Sequence, residues 1–440
     1  MTRRAASVAR PTALGADDPS ETAARLSPEL TARARRHDTS TLLALRAFES
    51  RLGTIARSVR LLPAVTARNA AAERARLQMQ LERGEMPLPN FVYAAPRPCR
   101  ASLRWLDVLR LEAAHLPGGK LYAAKLDELE LDVALLASLG DARLVRPLAA
   151  RRFGTGDELV ALEHSTLSLI DYSKQLLQGR AARSERKSVP ADAPDGSPSL
   201  RALIEWVGHQ AGLPVSVRVE PNLTAGAASG DQTVFIADRH FSRREAWRLA
   251  LHEVLGHVTS ATNGRAQPLR LLEWGTAFSF ADQEGVALCV EAEFGLLDRA
   301  RLCCLAGRVL ATRSMHAGAS FGETAKLLYK DYGFSAADSI AISERAHRGG
   351  GVARDAGYLL GYARVREALR RGDTTLDELR MGRLDLAALP EARSLLNAGL
   401  LRPPRHRPNL ARSFFSTSSG TMPRRSPPRD AASLMSVELT

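Results

Sequence analysis

The chain has 440 residues, with 61 lysines and arginines against 48 aspartates and glutamates, a net charge of +13 and 45% hydrophobic residues. That is enough apolar material for two or three domains of roughly 100–200 residues each, and it excludes a wholly disordered chain. No stretch approaches the roughly 18 consecutive apolar residues of a membrane span, and the N-terminal MTRRAASVARPTALGADDPSE has no apolar run behind its basic residues, so a soluble, cytoplasmic protein with no membrane partner is expected.

Residues 1–40 are mixed and polar and read as a disordered N-terminal tail. From Thr41 onwards Leu42, Leu43, Leu45, Phe48, Leu52, Ile55 and Val59 recur at three-to-four-residue spacing, the stripe of an amphipathic helix. A second helix rich in Ala, Arg, Glu, Leu and Gln is expected over about 67–85 and stops at MPLPNFVYAAPRP, where prolines 87, 89, 96 and 98 impose an extended chain. Further helices are expected around 100–115, 119–139 and 157–178, so that 41–181 forms a helical N-terminal region. Residues 182–199 carry Ser, Pro, Asp and Gly with almost no large apolar residue and read as a linker or surface loop.

The segments PVSVRV (214–219) and TVFIA (233–237) cluster β-branched residues and predict two short strands of a small antiparallel sheet. After Ser242 the chain is helical, with breaks, to about 401, giving a second domain over 200–401. Residues 402–440 hold seven arginines against two acids among Pro and Ser clusters, the composition of a disordered basic tail. Elsewhere the arginines alternate with Glu and Asp as on solvated helix faces. No RNP, zinc-finger or basic-zipper pattern supports a nucleic-acid partner. The four cysteines (Cys99, Cys289, Cys303, Cys304) lack CxxC spacing and fit a reducing compartment.

The chemistry concentrates in Glu245-Ala-Trp-Arg-Leu-Ala-Leu-His252-Glu253-Val-Leu-Gly256-His257, with Ser242 as the N-cap of its helix. His-Glu-x-x-x-His is one residue longer than the zinc-protease spacing His-Glu-x-x-His. At about 100° per residue, an i,i+5 pair diverges by about 140° on a regular helix, so the two histidines chelate together only if a π-type turn brings them to one face. Gly256 could ease that distortion or end the helix.

A catalytic zinc site takes three protein ligands plus water, so a downstream acid is needed. Glu273, Glu284, Glu291 and Glu293 are the candidates. Context favours Glu284, in the polar start of an apolar helix, with Gly285 and Ala287 leaving room beside the metal. Glu253, next to His252 but pointing elsewhere, suits the general base that deprotonates a zinc-activated water. His209, His240, His316 and His347 read as capping, solvated or packed residues.

HEVLGH, Asn263-Gly264 and Gln283–Ala287 (QEGVA) together resemble the tyrosine carboxypeptidase-like zinc metallopeptidases, which include bacterial proteins named for a QEGLA motif and the microtubule-associated tyrosine carboxypeptidases. LLPAVTARNAAAERARLQMQ, PNFVY (89–93) and LDELELDVALLASLGD (126–141) upstream, and Ser320-Phe321, RAHRGG (345–350) and Arg354-Asp355 to Tyr358 and Gly361 downstream, extend the likeness over about 42–375. Val286 replaces the Leu of QEGLA, and Arg354 stands where the family usually has Lys.

The resemblance implies a mainly α (α+β) fold in which a helical N-terminal region precedes a zincin-like metallopeptidase domain. It implies one Zn²⁺ per chain on His252, His257 and Glu284, with Glu253 as base. The partner it implies is a peptide or protein C-terminus, from which a tyrosine or other aromatic residue is removed. Arg348 is the candidate for binding the terminal carboxylate, and Tyr358 for donating to the oxyanion. Two other classes of function stay open: a zinc-binding regulatory or interaction protein of the same fold without turnover, and a nucleic-acid-associated protein.

Overall fold

Leu45, Phe48, Leu52 and Ile55 are all buried on one face of helix α1 (Pro28–Ser58), as their spacing requires, whereas Leu43 of the same stripe is exposed. The helix begins at Pro28, inside the stretch expected to be unstructured; proline suits a first turn because its missing N–H would be unpaired there. The computed structural model describes residues 28–95, 100–179, 186–221, 223, 225–230 and 232–408, so Cys99, Pro96, Pro98 and most of both expected tails lie outside the described residues. The chain divides into two units, Met1–Ala44, of which only a helical stretch is described, and Leu45–Thr440, to which everything below belongs.

The second unit is mainly α with some β. Helices α2 (Ala70–Glu82), α3 (Arg100–Ala113) and α4 (Gly119–Ser138) fall where the composition places them, and α5 (Ala142–Phe153) follows with Asp141 as its cap. The PNFVY segment runs extended beside the start of α2, with the Asn69 side chain bonded to Asn90 O and Val92 N at 2.8 Å each. The expected helix 157–178 is instead a hairpin, β1 (Leu159–Leu162) and β2 (Ser165–Ser168), followed by α6 (Leu169–Leu177). Glu163-His164 makes a two-residue turn between strands of Leu, Val, Thr and Ser, a local β preference that the apolar spacing concealed.

Within the segment read as a linker, β3 (Lys187–Val189) pairs with β7 (Phe241–Ser242), and Val189 and Ala191 enter the core. After α7 (Leu200–Gln210) come β4 (Ser216–Glu220), β5 (Ala227–Ser229) and β6 (Thr233–Ala237), in the order β4-β6-β5. The two strands expected to pair antiparallel, β4 and β6, run parallel; β5, unforeseen, is the antiparallel neighbour of β6, so the sheet is mixed. The turn between the strands was too rich in Gly and Ala to announce the extra strand it contains. Val217, Val234 and Ile236 of this sheet pack with Leu203, Val207, Leu251, Val254 and Val258 in one apolar core.

The remaining α-helices of six residues or more among the described residues are α8 (Arg243–Leu251), α9 (Thr259–Ala266), α10 (Ser279–Glu293), α11 (Arg299–His316), α12 (Phe321–Lys326), α13 (Ala336–His347), α14 (Ala356–Arg371) and α15 (Leu389–Asn397). α10 lies between α14 and the end of α8. A Cβ on Gly285 would stand 2.3 Å from Gly361 O, and one on Gly361 would stand 1.6 Å from Ala281 O. The backbones of α10 and α14 therefore touch, and only glycine fits at either position. Gly285 makes room for a helix rather than for a metal, which corrects the expectation. Residues 402–408, expected to open a disordered tail, are held to α9: Asn263 Oδ1 accepts from His406 N at 2.8 Å and Gln267 Oε1 from Arg402 N at 2.9 Å.

Candidate metal centre

Ser242 Oγ accepts from Glu245 N at 3.1 Å and starts α8, which carries the chain to His252 in α-helical geometry. From His252 to Val258 the backbone changes to a π-helical turn before α9 continues the same rod. This is the distortion that His-Glu-x-x-x-His demands, because i→i+5 bonding returns residues five apart to one face. The His252 and His257 rings accordingly lie with centroids 5.0 Å apart. Gly256 lies within the π-turn and does not end the helix, and a Cβ there would stand 2.6 Å from Ala287 Cβ, so this glycine brings α10 close.

That closeness places Glu284 against both rings. Its Oε2 is 3.3 Å from His252 Nε2 and 3.5 Å from His257 Nε2, yet has no well-aligned hydrogen-bond partner among the described residues. One donor atom from each of the three residues falls within 4.8 Å of the others. Two ligands at about 2.0–2.2 Å from a tetrahedral zinc lie about 3.4 Å apart, so the spacing and the donor set both fit a divalent cation. Glu253 is buried on the intervening turn, and its Oε2 also lacks a hydrogen-bond partner.

Burial disfavours an imidazolium at His252, but the carboxylates of Glu284 and Glu291 outweigh it and push its pKa up to about 9. Burial likewise opposes the Glu284 carboxylate, and the two histidines override it and hold its pKa well below the usual range. The QEGVA motif now divides by role. Gln283 Nε2 donates to Leu379 O and Leu384 O, Glu284 faces the histidines, Gly285 admits α14, and Ala287 meets Gly256.

Of the other acids weighed as ligands, Glu291 is the informative one: it touches His252 from behind, its Oε1 2.8 Å from Nδ1. Seven residues from Glu284, two helical turns on, it shares a face of α10 with it. That spacing was the available signal for it. Arg248 and Arg301, which reach Glu291 at 3.4 and 3.3 Å, were not anticipated.

Arg348 and Tyr358 lie in a second cluster. Asp355, at the start of α14, is buried among Arg345, Arg308 (3.7 Å) and Arg348 (3.6 Å). Burial lowers the Arg348 pKa to about 10 despite Asp355, and its Nε and Nη2 have no hydrogen-bond partner among the described residues. Arg354, which stands where the family usually has Lys, stacks on Phe280 at 4.0 Å with its Nε also unpartnered. The Tyr358 ring meets Phe280 at 5.6 Å, and burial followed by the Glu284 charge raises its pKa. Phe280 is four residues before Glu284 on α10, so the arginine cluster and the candidate metal centre adjoin through one helix.

The family model for microtubule-associated tyrosine carboxypeptidases matches residues 81–421. The chain belongs to this family. No curated protein matches it. The π-turn, the Gly285–Gly361 contact and the three converging donors are thus features of a family member whose matched region holds every candidate site residue. Among the described residues no helix is long and apolar enough to cross a membrane.

Proposed function

We propose that the protein is a zinc-dependent carboxypeptidase that removes the last residue, tyrosine or another aromatic, from a peptide or protein. The observation that carries this reading is the convergence of one donor atom each from His252, His257 and Glu284 within 4.8 Å, beside a buried oxygen of Glu253 with no hydrogen-bond partner among the described residues. A zinc ion held there supplies polarisation of the scissile carbonyl and acidification of a water. Glu253 would accept the proton of the attacking water and pass it to the leaving amine, and its Oε2, without a hydrogen-bond partner among the described residues, is the oxygen available for that transfer.

The terminal carboxylate is received by the guanidiniums of Arg348 and Arg354. Arg348 Nε and Nη2 and Arg354 Nε have no hydrogen-bond partner among the described residues, and a carboxylate is the ligand that a guanidinium binds bidentately. Tyr358, between that cluster and Glu284, donates its phenol proton to the developing oxyanion, and its raised pKa keeps that proton on at neutral pH.

The test is to incubate the purified full chain with peptides that differ only at their final residue, with and without chelator, and to follow mass. Loss of one C-terminal residue, abolished by chelator and restored by zinc, is expected. Glu253→Gln should keep its zinc and lose turnover by about a thousandfold or more. Internal cleavage, or turnover indifferent to chelator, would dismiss the proposal. Stoichiometric zinc with no peptide shortened would favour a binding protein of the same fold.

A further inference from the structure

We infer that Glu291 is a positioning residue of the metal centre, fixing the His252 ring so that Nε2 is the atom offered to the cation. This rests on the metal reading of His252, His257 and Glu284. A neutral imidazole carries its proton on one nitrogen only, and the nitrogen left bare is the one that ligates. Glu291 Oε1 lies 2.8 Å from His252 Nδ1. An ionised carboxylate can only accept, so in the neutral ring that a cation binds the Nδ1 proton stays on the side of Glu291 and the lone pair falls to Nε2, the nitrogen that faces Glu284 at 3.3 Å.

The carboxylate is itself held. Glu291 is wholly buried, and Arg248 from α8 (3.4 Å) and Arg301 from α11 (3.3 Å) approach it from separate helices. Two cations around one buried acid keep it ionised and leave it little freedom to rotate. The chain of contacts runs from Arg248 and Arg301 through Glu291 to His252, so three helices, α8, α10 and α11, set the direction of one ligand. Carboxylates placed behind a ligating histidine in this way raise its basicity and fix its orientation, and their loss costs about ten- to a hundredfold in metal affinity.

The experiment measures zinc affinity by competition with a chromophoric chelator on the full chain, comparing wild type with Glu291→Gln, Glu291→Asp and Asp282→Asn. Asp282 is a buried acid on the same helix that binds Leu386 N at 2.8 Å and Arg364 at 3.2 Å without touching His252. Glu291→Asp keeps the charge but withdraws the oxygen by one methylene, and should weaken zinc binding by about tenfold or more. Glu291→Gln should weaken it similarly, because a neutral amide can present its donor as readily as its acceptor. Asp282→Asn should bind zinc as wild type does, even if it melts earlier.

Folded Glu291 variants with unchanged affinity would overturn the role, and so would an equal loss in Asp282→Asn. If Glu291→Gln does not fold, Glu291→Asp decides by the same criterion. If wild type takes up no zinc at all, the metal reading and the positioning role fall together, an outcome distinct from zinc-loaded wild type with equally tight variants.

Discussion

Glu291 and Asp355 are both fully buried carboxylates surrounded by arginines, yet their surroundings are filled to different extents. Glu291 faces two arginines and one histidine, and its hydrogen bonds to His252, Arg248 and Arg301 occupy both oxygens. Asp355 faces three arginines, and Asp355 Oδ1, Arg308 Nε and Arg348 Nε and Nη2 have no hydrogen bonds among the described residues. Buried polar groups are normally paired, and those left over call for a ligand or a strain account. The first cluster is therefore a completed support, and the second has cations to spare. A peptide's C-terminal carboxylate is a ligand of the sign and shape that the second one lacks.

The contrast can be broken most forcefully at Asp355. Asp355→Asn removes the carboxylate shared by the buried Arg348 and the largely buried Arg308 and Arg345 and is expected to cost about 3–5 kcal/mol of stability, read as a lower midpoint in denaturant. Stability close to wild type would show that the arginines reach water and that the cluster is less closed than its burial implies.

Arg348→Met removes a cation that is in surplus. The fold should survive, while kcat/KM on peptides with a free terminal carboxylate falls about tenfold or more through KM. The same change paired with Arg354→Met should fall further. Kinetics indifferent to both would detach the cluster from substrate.

The smaller of the two stability effects concerns His347, whose Nε2 is 2.9 Å from Thr324 Oγ1. Burial and then Arg146 push its pKa down to about 4 from an ordinary 6.5. Since the unfolded chain takes up the proton first, stability is full above pH 6.5 and declines as pH falls towards 4. The loss is on the order of 3 kcal/mol at most. His347→Gln should flatten that part of a stability–pH curve measured by chemical denaturation.

Much of the site was legible because it is local. Ser242 as cap, His252 and His257 five apart, and Glu253 between them lie on one continuous helix, where the number of intervening residues dictates direction. A π-turn was the only geometry that let this spacing converge, and it occupies His252–Val258. Glu284 was favoured by its context and stands 3.3 and 3.5 Å from the two imidazoles. The hairpin at 159–168 escaped because Leu-Val-Ala-Leu satisfies helix and strand alike, and partner strands decide between them. The parallel pairing of β4 and β6 escaped for a related reason: strand propensity carries no direction, and direction depended on where β5 turned back.

Sequence alone determined the chemistry on offer: two imidazoles, a base and a choice of acids, at spacings that a helix converts into angles. Tertiary structure decided which acid faces both imidazoles and which stands behind one of them. Glu284 and Glu291 share one face of α10, and only the crossing of that helix with the π-turn, permitted by Gly256 against Ala287, determines which of them meets Nε2 and which meets Nδ1. It also decided what the arginines do, because a guanidinium's role depends on the anions that folding leaves within its reach. That balance is set by residues such as Arg308, Arg345 and Asp355, which are far apart along the chain until the core closes.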